Sequence, residues 1–449
     1  MPHTIAEIVQ AHRAGTAPEE TVARCYERIR QHNDPAIFIA LRDETDARAE
    51  ARALEGTSLP LYGVPFAVKD NIDVAGMPTT AACPAFAYTA KADATCVARL
   101  RAAGAIPIGK TNLDQFATGL VGVRSPYGIP RNVFDAKLIP GGSSSGSAVA
   151  VAAGLVPFAL GTDTAGSGRV PASLGNIVGL KPSLGAVSAA GVVPACRTLD
   201  CVSVFALTVD DAWGALTAMA GPDALDPYTR NRPLGTLGQR SALRIGVPRR
   251  AQREFFGDQI SAAEFETAIE RVASLNATVI EIDFAPFSEC GRLLYEGPWV
   301  AERYLAARSI IETDPEALHP VTREIISAGA YPSAADVFAA FYRLEELRRA
   351  SDRVFEQIDA LLVPTIPTVY TVEQVLADPI QLNSRLGTYT NFVNLLDLAA
   401  LALPASIRSD GIPFGVTLLA PGGQDALLAS FGRACEARTK WPPGALKKA

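Results

Sequence analysis

Two loops of small residues and one lysine are the parts of this 449-residue sequence best suited to covalent chemistry. Gly141-Gly142-Ser143-Ser144-Ser145-Gly146-Ser147 puts four hydroxyls into seven residues ahead of an Ala/Val-rich run. About two dozen residues later, Gly161-Thr162-Asp163-Thr164-Ala165-Gly166-Ser167-Gly168-Arg169 repeats the theme. Side chains this small suit tight turns where backbone packs closely. They equally suit an oxyanion hole, whose N–H donors must approach a developing charge with nothing intervening. A hydroxyl nucleophile needs a base, and the commonest one is missing. Of four histidines, His3, His12 and His32 lie near the start and His319 precedes Pro320, so none falls between Asn33 and Leu318. Lys69, after the apolar Phe66-Ala67-Val68, is the alternative. A lysine there is either ion-paired or snorkelling, or a buried base whose free pKa of about 10.4 falls because burial disfavours the ammonium.

The segments that must hold these residues alternate between helix and strand. Thr4 and Pro18 each open an amphipathic N-terminal helix. Residues 63–69 read as a strand, 93–103 as a helix closed by Gly104, and 105–109 as a short apolar strand. Residues 140–194 are poor in charge and rich in small residues. Beyond Trp213 the pattern gives a strand at 244–248, a helix at 262–275 and a strand at 277–283. Helical stretches at 299–312, 320–329 and 334–358 then precede a strand at 359–364. This alternation predicts an α/β architecture with a mixed, buried sheet. The charged helical region 285–358 reads as a cap or insertion, and the tail from Lys440 as the start of a linker.

One motif misleads. Gly104-Ala105-Ile106-Pro107-Ile108-Gly109-Lys110-Thr111 fits the phosphate-loop pattern GxxxxGK[ST]. That loop needs a strand before it and free N–H groups within it. Here a helix precedes, the interior is apolar and strand-like, and Pro107 removes a donor, so nucleotide binding is not expected.

Composition narrows the class. Apolar residues at 48% and charged ones at 20% exclude a disordered chain. The 41 basic and 47 acidic residues give a net charge of −6 without a run of five Lys/Arg, so no nucleic-acid partner is expected. The longest apolar stretch, 148–161, contains Pro157 and is too short to span a bilayer. With no basic-then-apolar leader the expected location is the cytoplasm, without membrane attachment. Seven scattered cysteines, none in a CxxC pair, suggest neither a disulfide framework nor a metal site. No cofactor is expected.

Taken together, GVPFAVKDN at 63–71, GGSSSGS, GTDTAGSGR and IVGLKPS at 177–183 resemble the amidase signature family of serine hydrolases. The resemblance implies that family's fold, a large mixed, twisted β-sheet surrounded by helices. It also implies a Ser-Ser-Lys triad: Ser167 as nucleophile, Ser143 as relay behind a cis peptide bond, and Lys69 as base. Backbone N–H groups of Thr164, Ala165 and Gly166 would form the oxyanion hole. Ser145 stands where many members have glycine. Arg169 is expected to organise its loop with Asp163 rather than touch ligand.

The stretch LLYEGPWVAERY at 293–304 can be an ordinary helix start, with Pro298 in the first turn and Tyr295 on the preceding loop. It also resembles the substrate-recognition stretch of allophanate hydrolases, a branch of the family. By that resemblance Tyr295 and Arg303, eight residues apart, bind the substrate carboxylate, with backbone near Gly119 a further contact. The substrate implied is allophanate, and relatives allow a homodimer. Members of the branch commonly carry a second, C-terminal domain. Here residues 1–440 are expected to form one amidase domain and 441–449 a tail or truncated linker, with that second domain absent.

Overall fold

The computed structural model describes residues 4–54, 56, 58–238, 242–439 and 442–445; His3, Lys440, Trp441 and 446–449 lie outside these. The fold is α/β, as expected, around one eleven-stranded mixed sheet. Its strands are β1 (Phe38–Leu41), β2 (Pro65–Lys69), β3 (Ile106–Thr111), β4 (Phe158–Asp163), β5 (Val178–Lys181), β6 (Cys201–Ala206), β7 (Arg244–Pro248), β8 (Thr278–Ile282), β9 (Ala360–Pro364), β10 (Leu398–Ile407) and β11 (Pro413–Pro421). Their spatial order is β1-β3-β2-β4-β6-β5-β10-β11-β9-β7-β8.

Two features of this order matter for chemistry. Strand β2 lies parallel to both β3 and β4, with Phe66 opposite Phe158 and Val68 opposite Leu160. Strands buried on both faces read as continuous apolar runs, which is why PFAVK and FALGTD carry few polar residues. Parallel neighbours end on the same edge of a sheet, where ligand crevices of α/β proteins form. Lys69 closes β2 and Asp163 closes β4, so the lysine and the loop that carries Ser167 emerge side by side. Side-chain alternation decides the rest. Phe66 and Val68 enter one core, whereas Ala67 enters another against the wholly buried helix Ser145–Ala152. Period two puts Lys69 on the Ala67 face, toward the serines that precede that helix.

Several elements escape sequence patterning. LAALALPASI has the composition of a helix, yet it forms β10, hydrogen-bonded between β5 and β11 in the middle of the sheet. The region 285–358 holds four helices, not three: Ala285–Glu296, Val300–Thr313, Pro320–Ser327 and Ala334–Phe355. The first has Pro in its opening turn, buries Phe287, Cys290, Gly291 and Leu294 on one face, and ends at Gly297. Tyr295 therefore sits in a helix's last turn rather than on a loop, and Pro298 lies ahead of the N-cap Trp299 rather than in the next helix. The tail differs too. Asn176 Nδ2 donates to the carbonyls of Pro442 (2.9 Å) and Gly444 (3.2 Å), which moors these residues to the body. Among the described residues no helix is long and apolar enough to cross a membrane.

Candidate active site

Two lysines are buried on neighbouring strands, and their partners differ. Lys110 Nζ lies 3.2 Å from Asp70 and donates to Pro78 O and Thr79 Oγ1. It is a structural ion pair on β3, and the phosphate-loop pattern around it is strand, as its sequence context predicted. Lys69 has no carboxylate in reach. Its Nζ lies 2.7 Å from Ser143 Oγ and 2.7 Å from Thr162 Oγ1, and the side chain is fully buried. Burial lowers its pKa to about 7, against the opposing pull of Asp114, Asp200 and Asp163 further off. An amine at that value is substantially neutral at physiological pH, with a lone pair to accept a hydroxyl proton.

The peptide bond between Gly142 and Ser143 is cis, as the resemblance implied. Ser167 lies on the loop that leaves β4, and Asp163 organises that loop. Its carboxylate accepts from the amides of Gly166 (2.8 Å) and Gly168 (3.0 Å) and from Arg169 Nε and Nη2 (2.8 and 2.9 Å). Both side chains of this ion pair are fully buried. Burial opposes ionisation of Asp163, but the Arg169 guanidinium, Lys181 and the Gly168 amide together outweigh it and hold the pKa below the usual carboxylate value. Arg169 thus has the loop-organising position expected for it. Asn394 Nδ2 ties the same loop to the Leu199 carbonyl, donating 2.7 Å to Asp163 O and 2.7 Å to Leu199 O.

The structure brings Lys69 and Ser143 into direct contact but leaves Ser167 one step away. Ser167 Oγ faces the Gly119 carbonyl at 3.5 Å, a marginal hydrogen bond, and does not bond Ser143. The three amides expected to form an oxyanion hole also differ. That of Gly166 is held by Asp163, whereas among the described residues no hydrogen bond occupies those of Thr164 and Ala165. Gly166 has φ +136°, and a Cβ there would lie 2.5 Å from Thr390 Oγ1, so only glycine fits.

Arg303 and Tyr295, the pair that the resemblance singled out, lie in contact. Arg303 is 1% exposed; its Nη2 donates to Tyr295 Oη (3.2 Å) and its Nη1 to Thr118 Oγ1 (3.1 Å) and Ala117 O (3.3 Å). Every acceptor is neutral, and Nε is buried without a partner. Gly119, one residue beyond Thr118, joins this side to Ser167. Sequence reasoning assigned no role to Thr162, Asp114, Thr118 or Arg124. Thr162 was signalled only by its place two residues before Thr164 in the second loop.

The molecule can be compared with known proteins on this basis. Residues 20–429 match the Amidase family. The chain is 50% identical over 394 residues to the urea amidolyase of Lachancea kluyveri, covering 86% of this chain and 21% of that protein. It is 38% identical over 416 residues to one subunit of the glutamyl-tRNA(Gln) amidotransferase of Symbiobacterium thermophilum, covering 85% of this chain and 84% of that protein. The structure of Kluyveromyces lactis allophanate hydrolase matches with a TM-score of 0.93 and 43% identity, over 98% of this chain and 74% of that chain. The chain spans about a fifth of the length of the curated urea amidolyases it matches. From the match over 20–429, with the sheet order and the buried Lys69–Ser143 contact beside it, the chain belongs to the Amidase family.

Proposed function

We propose that the protein hydrolyses the terminal amide of allophanate, a urea derivative that ends in a carboxylate, by a Ser-Ser-Lys acyl-enzyme route. The observation that carries the substrate is Arg303: a guanidinium buried beside the serines whose protein acceptors are all uncharged. A buried cation is costly without an anion, and a planar carboxylate matches its fork with two parallel N–H bonds.

In the reaction, neutral Lys69 accepts the Ser143 proton while Ser143 accepts that of Ser167, whose hydroxyl turns from the Gly119 carbonyl to do so. Ser167 Oγ attacks the terminal amide carbon. The Thr164 and Ala165 amides receive the oxyanion, as donors of that kind do elsewhere for about 3 kcal/mol each. The relay returns the proton to the amide nitrogen, the C–N bond breaks, and ammonia leaves. Water, deprotonated by the same relay, then cleaves the acyl-enzyme to N-carboxycarbamate and free Ser167. The seven unbridged cysteines support a cytoplasmic setting.

Ammonia release tests this reading, with allophanate, glutamine and acetamide as substrates. Only allophanate is expected to turn over efficiently. Arg303→Gln is expected to raise KM for allophanate by about tenfold or more, the usual loss for a charged hydrogen-bonding pair. Equal turnover of glutamine would redirect the assignment to the amidotransferase type, and an unchanged KM would remove the carboxylate assignment.

A further inference from the structure

Two guanidiniums, not one, are buried on the anion side of the site. Arg124, like Arg303, is 1% exposed, and its side chain reaches only carbonyls: Nη1 donates to Thr118 O (2.9 Å) and Nη2 to Pro379 O (2.6 Å). Among the described residues neither arginine has an ion pair, and each keeps a buried Nε without a partner. Both converge on the same short segment. Arg303 holds Ala117 O and Thr118 Oγ1, Arg124 holds Thr118 O, and the next carbonyl, Gly119 O, faces Ser167.

That segment is an unlikely one to form by itself. Phe116 and Ala117 are both left-handed (φ +50° each), and Gly119 has φ +155°. Left-handed backbone is disfavoured for residues with a Cβ and persists only where the surroundings over-determine it. Asp114 supplies the other wall, accepting from the amides of Val121, Gly122 and Arg124. The Asp114 carboxylate supports the charge of Arg124 more strongly than Arg303 opposes it, which leaves Arg303 as the guanidinium without a nearby anion in hydrogen-bond reach among the described residues.

We infer that Thr118 and Arg124 are positioning residues that aim Arg303 at the substrate carboxylate and thereby set the preference for anionic over neutral amides. The inference rests on the allophanate reading above. Arg124 fixes the Thr118 carbonyl, which turns the Thr118 hydroxyl toward Arg303. The Thr118 hydroxyl in turn donates to Phe116 O (3.2 Å) and accepts from Arg303 Nη1 (3.1 Å), so its two bonds define where the guanidinium lies.

The test compares allophanate with biuret, its uncharged analogue in which a carboxamide replaces the carboxylate. Wild type, Thr118→Val, Thr118→Ser and Arg124→Gln are assayed as full chains. Thr118→Val and Arg124→Gln are expected to lower the allophanate-to-biuret ratio of kcat/KM by about tenfold, through KM for allophanate, because each removes a hydrogen bond that orients a charged group. Thr118→Ser, which keeps the hydroxyl, is expected to retain the wild-type ratio. An unchanged ratio, or an equal fall for both substrates, overturns the inference while the allophanate reading stands. A wild type without preference for allophanate overturns both. Should Arg124→Gln fail to fold, the near-isosteric Thr118→Val decides the outcome alone.

Discussion

Replacing Lys69 with Met tests the claim on which the mechanism depends, that this amine is neutral near pH 7. The side chain is fully buried, and its pKa falls from 10.5 to about 7 because burial penalises the ammonium. At about 1.4 kcal/mol per unit, the site disfavours the charged form by about 5 kcal/mol. The unfolded chain keeps the proton up to about pH 10.4, whereas the native protein releases it near 7. Between those values the unfolded state binds one more proton, so wild-type stability rises with pH by about 1.4 kcal/mol per unit. Below pH 7 the whole penalty is present and this contribution is flat.

Lys69→Met removes the titration but also strips a donor from Ser143 and Thr162. That second effect is independent of pH, so the slope, not the offset, carries the information. Urea unfolding of both proteins at intervals from pH 6 to pH 9 gives the difference curve. Wild type is expected to gain about 2 kcal/mol on the variant between pH 7.5 and 9. The same group predicts that wild-type kcat/KM climbs with pH to a plateau above about 7. Parallel stability curves from pH 6 to 9 would mean that Lys69 keeps an ordinary lysine pKa, and the proton relay would fail with it.

Two further expectations concern the nucleophile loop. Asp163→Asn leaves the fully buried Arg169 without its anion, so stability is expected to fall by about 3–5 kcal/mol and fluorophosphonate labelling of Ser167 to disappear. Adding Arg169→Met should recover stability but not labelling, because the Gly166 and Gly168 amides use both carboxylate oxygens and the asparagine offers only one acceptor. Gly166→Ala should abolish labelling and lower stability by about 1–3 kcal/mol, since its Cβ meets Thr390 at a left-handed backbone position. Normal labelling of Gly166→Ala would show that the loop has room this geometry denies it.

Much of the site was legible because its chemistry is local in sequence. Small residues cluster in the two loops, and a lysine follows an apolar strand in a chain whose middle lacks histidine. Tyr295 and Arg303 were singled out by resemblance rather than by pattern, and they touch although Tyr295 lies in a helix and not on a loop, because both side chains reach the same spot across the Gly297 break. Patterning failed for β10, whose Ala/Leu composition favours helix in isolation, because a vacancy between two other strands is a property of the sheet and not of the segment.

The sequence by itself determined which residue types stand at positions 69, 143, 167 and 303, and that an apolar strand leads to the first of them. Only the tertiary structure decided that β2 and β4 run side by side, which brings Lys69 against Ser143 and Thr162. It alone separated the ion-paired Lys110 from the unpaired Lys69, and turned the Gly166 amide to Asp163 rather than to the site. It also assembled Arg124, Thr118 and Arg303 around one left-handed segment. The reason is physical: a pKa, a buried charge and a hydrogen-bond partner depend on what surrounds a group in space, and residues far apart in the chain supply those surroundings.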